Sequence, residues 1–177
     1  AFGLRADCND TLVADHNVFG RLDSFAILFS LIQSDRRSSG RTGLCRANSA
    51  RHNLLVHTPR RLHLGRREEN ASDWNLFDSR DDNCSFHIAH PAPGNYQKLA
   101  SWQQYFGLDE HSAQARITAA FDPDTLVFTW RIEGELPAGF PPPGPLDLEQ
   151  WSKSLGAGEG RQVFPVKAAG TAAGAGR

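Results

Sequence analysis

Arginines and histidines set two apart along short alternating stretches are the residues of this chain best placed to do chemistry. In Arg61-Leu62-His63-Leu64 and Ser85-Phe86-His87-Ile88, polar and apolar side chains alternate, the period-2 mark of a half-buried strand. Ala1-Phe2-Gly3-Leu4-Arg5 reads as an equivalent strand. With Phe2, Leu4, Leu62, Leu64, Phe86 and Ile88 facing inward, Arg5, Arg61, His63 and His87 face solvent, and Arg60, Arg66 and Arg67 flank them. Strands stacked ~4.8 Å apart would gather these groups into one cationic strip. Guanidinium groups hold carboxylates in a planar fork, and an imidazole titrates in the range a general base needs. The plain alternative is a row of solvated side chains with Glu68 and Glu69 as counter-charge.

Something must hold those strands in one frame, and an internal repeat supplies it. Asp15-His16-Asn17-Val18-Phe19, Arg51-His52-Asn53-Leu54-Leu55 and Asp73-Trp74-Asn75-Leu76-Phe77 align without gaps, each preceded by Ala or Ser. The asparagines lie 36 and then 22 residues apart. The shorter interval suits one turn of a β-solenoid, and the longer suits the same turn enlarged by the polar stretch Ser34 to Arg41. Asparagine tolerates left-handed backbone and can hydrogen-bond to its counterpart in the next coil, while the apolar pair after it turns inward.

From about residue 95 the pattern changes. Leu99, Trp102, Gln103 and Phe106 fall at helical spacing with Gly107 as a stop, which predicts a short amphipathic helix whose Trp102 and Phe106 plug the end of the core. Thr125 to Glu133 is strand-like, Leu136 to Pro145 is proline-rich, and Ala168 to Arg177 has the composition of a flexible tail. The expected organisation is therefore coils over 1–94, a helix and strand cap over 95–135, and a largely irregular extension over 136–177.

Composition bounds the function. The 177 residues are 40% hydrophobic with a formal net charge of −1, which suits one globular domain and argues against a nucleic-acid binder, since that needs a cationic excess. No run approaches the ~18 apolar residues of a membrane span. Arg outnumbers Lys 16 to 3, a bias that favours anion contacts and that genomic base composition also produces. Cys8, Cys45 and Cys84 lack zinc or disulfide spacing and read as buried free thiols. With Ala at position 1 and no methionine, the chain is expected to be processed or part of something longer, such as one with further N-terminal coils. Seven histidines without HxxxH spacing predict no metal site. Asp81-Asp82 and Asp122-Pro123-Asp124 are carboxylate pairs that could serve acid/base hydrolysis or calcium, but Asp-rich turns are usually only turns.

The Asn frames, together with Leu99-Ala100-Ser101-Trp102-Gln103-Gln104-Tyr105-Phe106-Gly107-Leu108-Asp109-Glu110-His111-Ser112, resemble the right-handed parallel β-helix proteins of the pectate-lyase-like superfamily. The resemblance covers roughly residues 1–125. It implies an all-β fold, a short right-handed parallel β-helix (β-solenoid) with a C-terminal helix and strand cap and a flexible Ala/Gly tail. It also implies a secreted or periplasmic setting, although no signal segment is present in the chain. Members act mostly on acidic polysaccharides as lyases or hydrolases, so the expected partner is such a polymer and no organic cofactor is implied. β-Elimination from a uronate needs its carboxylate neutralised and a proton removed by a base, which makes Arg61 and His63 the candidate catalytic residues. Arg5, Arg60, Arg66, Arg67 and His87 are the candidate substrate-binding residues. The competing expectation is a non-catalytic scaffold or glycan-binding module, open at its coil ends to self-association.

Overall fold

A computed structural model describes residues 2–31, 44–81, 85–89, 96–157 and 159–164. Three ladders of short strands make up the first two-thirds. In the first, β1 (Leu4–Asp7), β4 (Phe25–Ser30), β7 (Arg60–Leu64) and β10 (Phe86–Ile88) run parallel, and β11 (Tyr96–Gln97) closes the edge antiparallel. The second holds β2 (Val13–Asp15), β5 (Ser49–Arg51) and β8 (Ala71–Asp73), all parallel. The third begins with β3 (Val18–Gly20), β6 (Leu54–Val56) and β9 (Leu76–Asp78). It then continues through β12 (Ala113–Asp122), β13 (Val127–Glu133) and β14 (Glu159–Val163). Ala6, Ile27, Phe29, Leu62, Leu64, Phe86 and Ile88 share one buried cluster, as the alternation predicts for the inward positions.

The asparagine frames do what their spacing suggests. Asn17 Nδ2 donates to Asn53 Oδ1 at 3.1 Å, and Asn53 Nδ2 donates to Asn75 Oδ1 at 3.0 Å. Each Oδ1 also accepts the backbone N–H of the asparagine one rung away, at 3.0 Å in both cases. Left-handed backbone falls one residue earlier than expected, at His16 (φ 53), His52 (φ 51) and Trp74 (φ 57). A second ladder, not foreseen, runs from Leu12 N through Asn48 to Asn70, with N···Oδ1 distances of 2.9 and 3.0 Å.

The expected all-β architecture, a single right-handed β-solenoid, is overturned. The third sheet is mixed, because β12 pairs parallel with β9 but antiparallel with β13, and β13 pairs antiparallel with β14. Two helices, α1 (Leu99–Phe106) and α2 (Leu148–Ala157), complete an α/β mixed arrangement. The cause is local. At ten residues β12 is far longer than the three-residue strands it stacks on, so it overruns the ladder and its free end needs a partner of its own. The turn at Asp122–Thr125 returns the chain: Asp122 Oδ1 accepts from Asp124 N at 2.9 Å, and its Oδ2 from the Thr125 hydroxyl at 2.6 Å.

Helix α1 matches the expected span, ending on left-handed Gly107 (φ 57), with Trp102 fully buried against Phe86. The segment expected to be largely irregular contains α2 and β14. There Trp151 is buried, and Trp130 Nε1 donates to Ser154 Oγ at 3.0 Å. Cys8 and Cys45 are buried free thiols. Cys84, Asp82, the 34–41 stretch and the Ala/Gly tail lie outside the described residues. Among the described residues no helix is long and apolar enough to cross a membrane.

Candidate functional site

The predicted strip is split. Register places Arg5 beside Leu28, Leu28 beside His63, and His63 beside His87. A buried leucine, 7% exposed, thus separates the first cation from the imidazoles. Arg61 leaves the surface altogether and is 1% exposed. Its guanidinium lies 5.4 Å from the ring centre of Phe77 and 5.7 Å from that of Phe86, and it donates to the Asp78 carbonyl. Alternation alone aims Arg61 outward. Inside, it finds two aromatic faces and a backbone acceptor, which together offset much of its desolvation.

The remaining residues divide by occupation. His63 and His87 are half-buried, with Nδ1 atoms 2.8 Å apart, so one ring donates to the other. Burial, then the neighbouring His87, pushes the His63 imidazole down to about 4. Arg66 pairs with Glu68 at 3.3 Å, and Arg67 donates to the Phe106 carbonyl at 2.7 Å, satisfying the end of α1. Arg5 bridges to Asp7 at 3.1 Å and covers the Phe2 ring at 5.3 Å. Arg60 is exposed, with its guanidinium 5.7 Å from the ring centre of Phe25.

A distinct concavity lies elsewhere. A half-open groove of about 710 Å³ runs between β3, β6 and the far half of β12, floored by Val18, Val56, Phe121, Phe128 and Phe164. A second hollow of about 520 Å³ is lined by Leu22, Asp23 and Pro59. Arg21 and His57 line both. The two are equivalent corner residues, each following the third strand of its repeat with left-handed backbone (φ 55 and φ 51). One wall is the proline-rich loop. There Gly144 (φ 66) donates to the His52 carbonyl, and a Cβ on it would lie 3.0 Å from Val18 Cγ2 and 3.2 Å from the Asn17 carbonyl oxygen. A side chain at 144 would force that wall outward.

Behind the groove, polar groups fix the imidazole. Arg80 donates to His57 Nε2 at 3.0 Å, which leaves Nδ1 as the ring's N–H. Arg80 is itself forked onto Asp78, with Nη2–Oδ2 at 2.7 Å and Nε–Oδ1 at 3.1 Å. Burial pushes the Asp78 carboxyl up, but hydrogen bonds from Arg80 and from the Ile117 backbone outweigh it and hold the group below its ordinary value. Arg21 is exposed and makes no ion pair among the described residues.

Arg21 and His57 are absent from the residues expected to function. Each stands four residues after its frame asparagine, Asn17 and Asn53. Extending the repeat alignment two residues further would have paired them.

No protein-family model matches the chain, and no similar curated protein or solved structure is found. The resemblance to the pectate-lyase-like superfamily therefore rests on the quoted residues alone.

Proposed function

We propose that this chain binds an acidic polysaccharide along the groove without cleaving it. The observation that carries this reading is that Arg21 and His57 line both hollows. Arg60 follows His57 by three residues at the start of β7. An apolar floor with a few placed polar groups suits a ligand that has both characters. Sugar rings present C–H faces to Phe121 and Phe164, while uronate carboxylates meet Arg21 and Arg60 and a hydroxyl accepts from His57 Nδ1–H. Binding without turnover is favoured because the two expected catalytic groups are separated. Arg61 is enclosed by Phe77 and Phe86, and His63 stands half-buried against His87.

Calorimetric titration with oligogalacturonate and oligoalginate tests this. Arg21→Ala and Arg60→Ala should each weaken binding roughly five- to tenfold, and the loss should shrink at high salt. Arg61→Leu should leave affinity unchanged. Equal affinity in wild type and in the Arg21→Ala/Arg60→Ala double variant would overturn the reading. An unsaturated product appearing in the ultraviolet would instead favour the lyase class.

A further inference from the structure

A different corner of the repeat gathers metal-binding chemistry. Strands β2 and β5 pair in register, Asp15 beside Arg51, so the residues that follow, His16 and His52, stack one above the other. Their ring centroids are 4.6 Å apart and their planes 18° from parallel. Asp15 Oδ1 lies 3.1 Å from His16 Nδ1 and 3.0 Å from His52 Nδ1. One ligand atom from each residue falls within 4.8 Å of the others.

We propose that Asp15, His16 and His52 bind a first-row divalent transition cation of the zinc, nickel or copper class. Two imidazoles and one carboxylate are the donor set such cations prefer. Donors bound at 2.0–2.1 Å stand roughly 3.0 to 3.4 Å from one another around the ion. The two carboxylate–imidazole distances, 3.0 and 3.1 Å, already meet that edge. The imidazoles need only rotate about χ2, a soft torsion, and move their protons to Nε2, so that both Nδ1 lone pairs face the ion.

The backbone beneath is fixed. His16 and His52 each precede a ladder asparagine, and the His52 carbonyl accepts from Gly144. Asp15 and His16 are exposed and His52 is partly so, which leaves access for the ion and room for water on it. Arg51, next to Asp15 in the ladder, adds a repelling charge. The proposal is independent of the polysaccharide reading.

The test is titration of ZnCl₂, and separately NiCl₂, into the full chain, followed by calorimetry. One equivalent should bind. His16→Gln and His52→Gln should each lower affinity by more than the roughly tenfold that loss of an outer-shell partner costs. His111→Gln should not change it, and Arg51→Gln should raise it. Circular dichroism checks that each variant is folded. If one is not, the imidazole resonances of the unmodified protein decide, since zinc must shift those of His16 and His52. Absence of stoichiometric uptake overturns the proposal. So does uptake that survives both substitutions or is lost instead in His63→Gln.

Discussion

Replacing Asp109 by alanine should lower the unfolding free energy by about 4 kcal/mol, the largest effect expected of any single polar substitution in this chain. The carboxylate is fully buried and ends the asparagine ladder. Its Oδ1 accepts from Asn75 Nδ2 at 2.8 Å and from the Ser112 hydroxyl at 2.6 Å, and its Oδ2 accepts from Trp102 Nε1 at 3.0 Å. Alanine leaves three buried donors without this acceptor, at about 1–3 kcal/mol each before relaxation. It also uncouples α1, which carries Trp102, from the parallel ladders that carry Asn75. Burial pushes the Asp109 carboxyl up in spite of these hydrogen bonds. Asp109→Asn keeps one acceptor and removes the charge, so its loss should be clearly smaller. Urea unfolding monitored by tryptophan fluorescence measures both. A loss below about 1 kcal/mol in Asp109→Ala would mean that the ladder does not hold the helix.

Acid should weaken the fold in two separable steps. The first belongs to His63, whose folded value is about 4 because burial, then His87, disfavours its charged form. The unfolded imidazole takes up its proton near pH 6.5. Between these values the unfolded chain binds the extra proton, so stability falls as pH drops from about 6.5 to 4 and then levels off for this group. The full window corresponds to roughly 3 kcal/mol. The second step includes Asp78, whose folded value, like those of Asp15 and Asp122, lies below its ordinary one. Its contribution is complete above the unfolded value of about 3.9 and is lost only as pH falls further. His63→Leu should flatten the first step and leave the second. Denaturant midpoints across pH 3–7 measure this, and an unchanged slope in His63→Leu would contradict the assignment.

Much of this was legible in the residues. The frames at Asn17, Asn53 and Asn75 disclosed the ladder because the side-chain amide repeats wherever the backbone does. Leu99, Trp102 and Phe106, with Gly107 after them, disclosed α1 because its amphipathic period and its stop are both local. The period-2 pattern placed Leu62, Leu64, Phe86 and Ile88 in the core. Arg61 escaped the same rule. Its burial depends on Phe77 and Phe86, from two other strands, and on the Asp78 carbonyl. The mixed third sheet was hidden because β12 (Ala-Gln-Ala-Arg-Ile-Thr-Ala-Ala-Phe-Asp) is rich in alanine and carries no sign of its partner's direction. His16 and His52 hold the same position in two aligned frames, so the repeat already implied that they stack, but their 36-residue separation hid them from any search for short metal-ligand spacing.

Binding in the groove is tested most directly by titrating a short oligogalacturonate into isotope-labelled protein while following backbone amide resonances. The largest shifts should fall on Arg21, His57, Arg60 and Phe121, and they should fade in Arg21→Ala. Shifts centred on Arg5, His63 and His87 with Arg21 silent, or no shifts at any concentration, would contradict it.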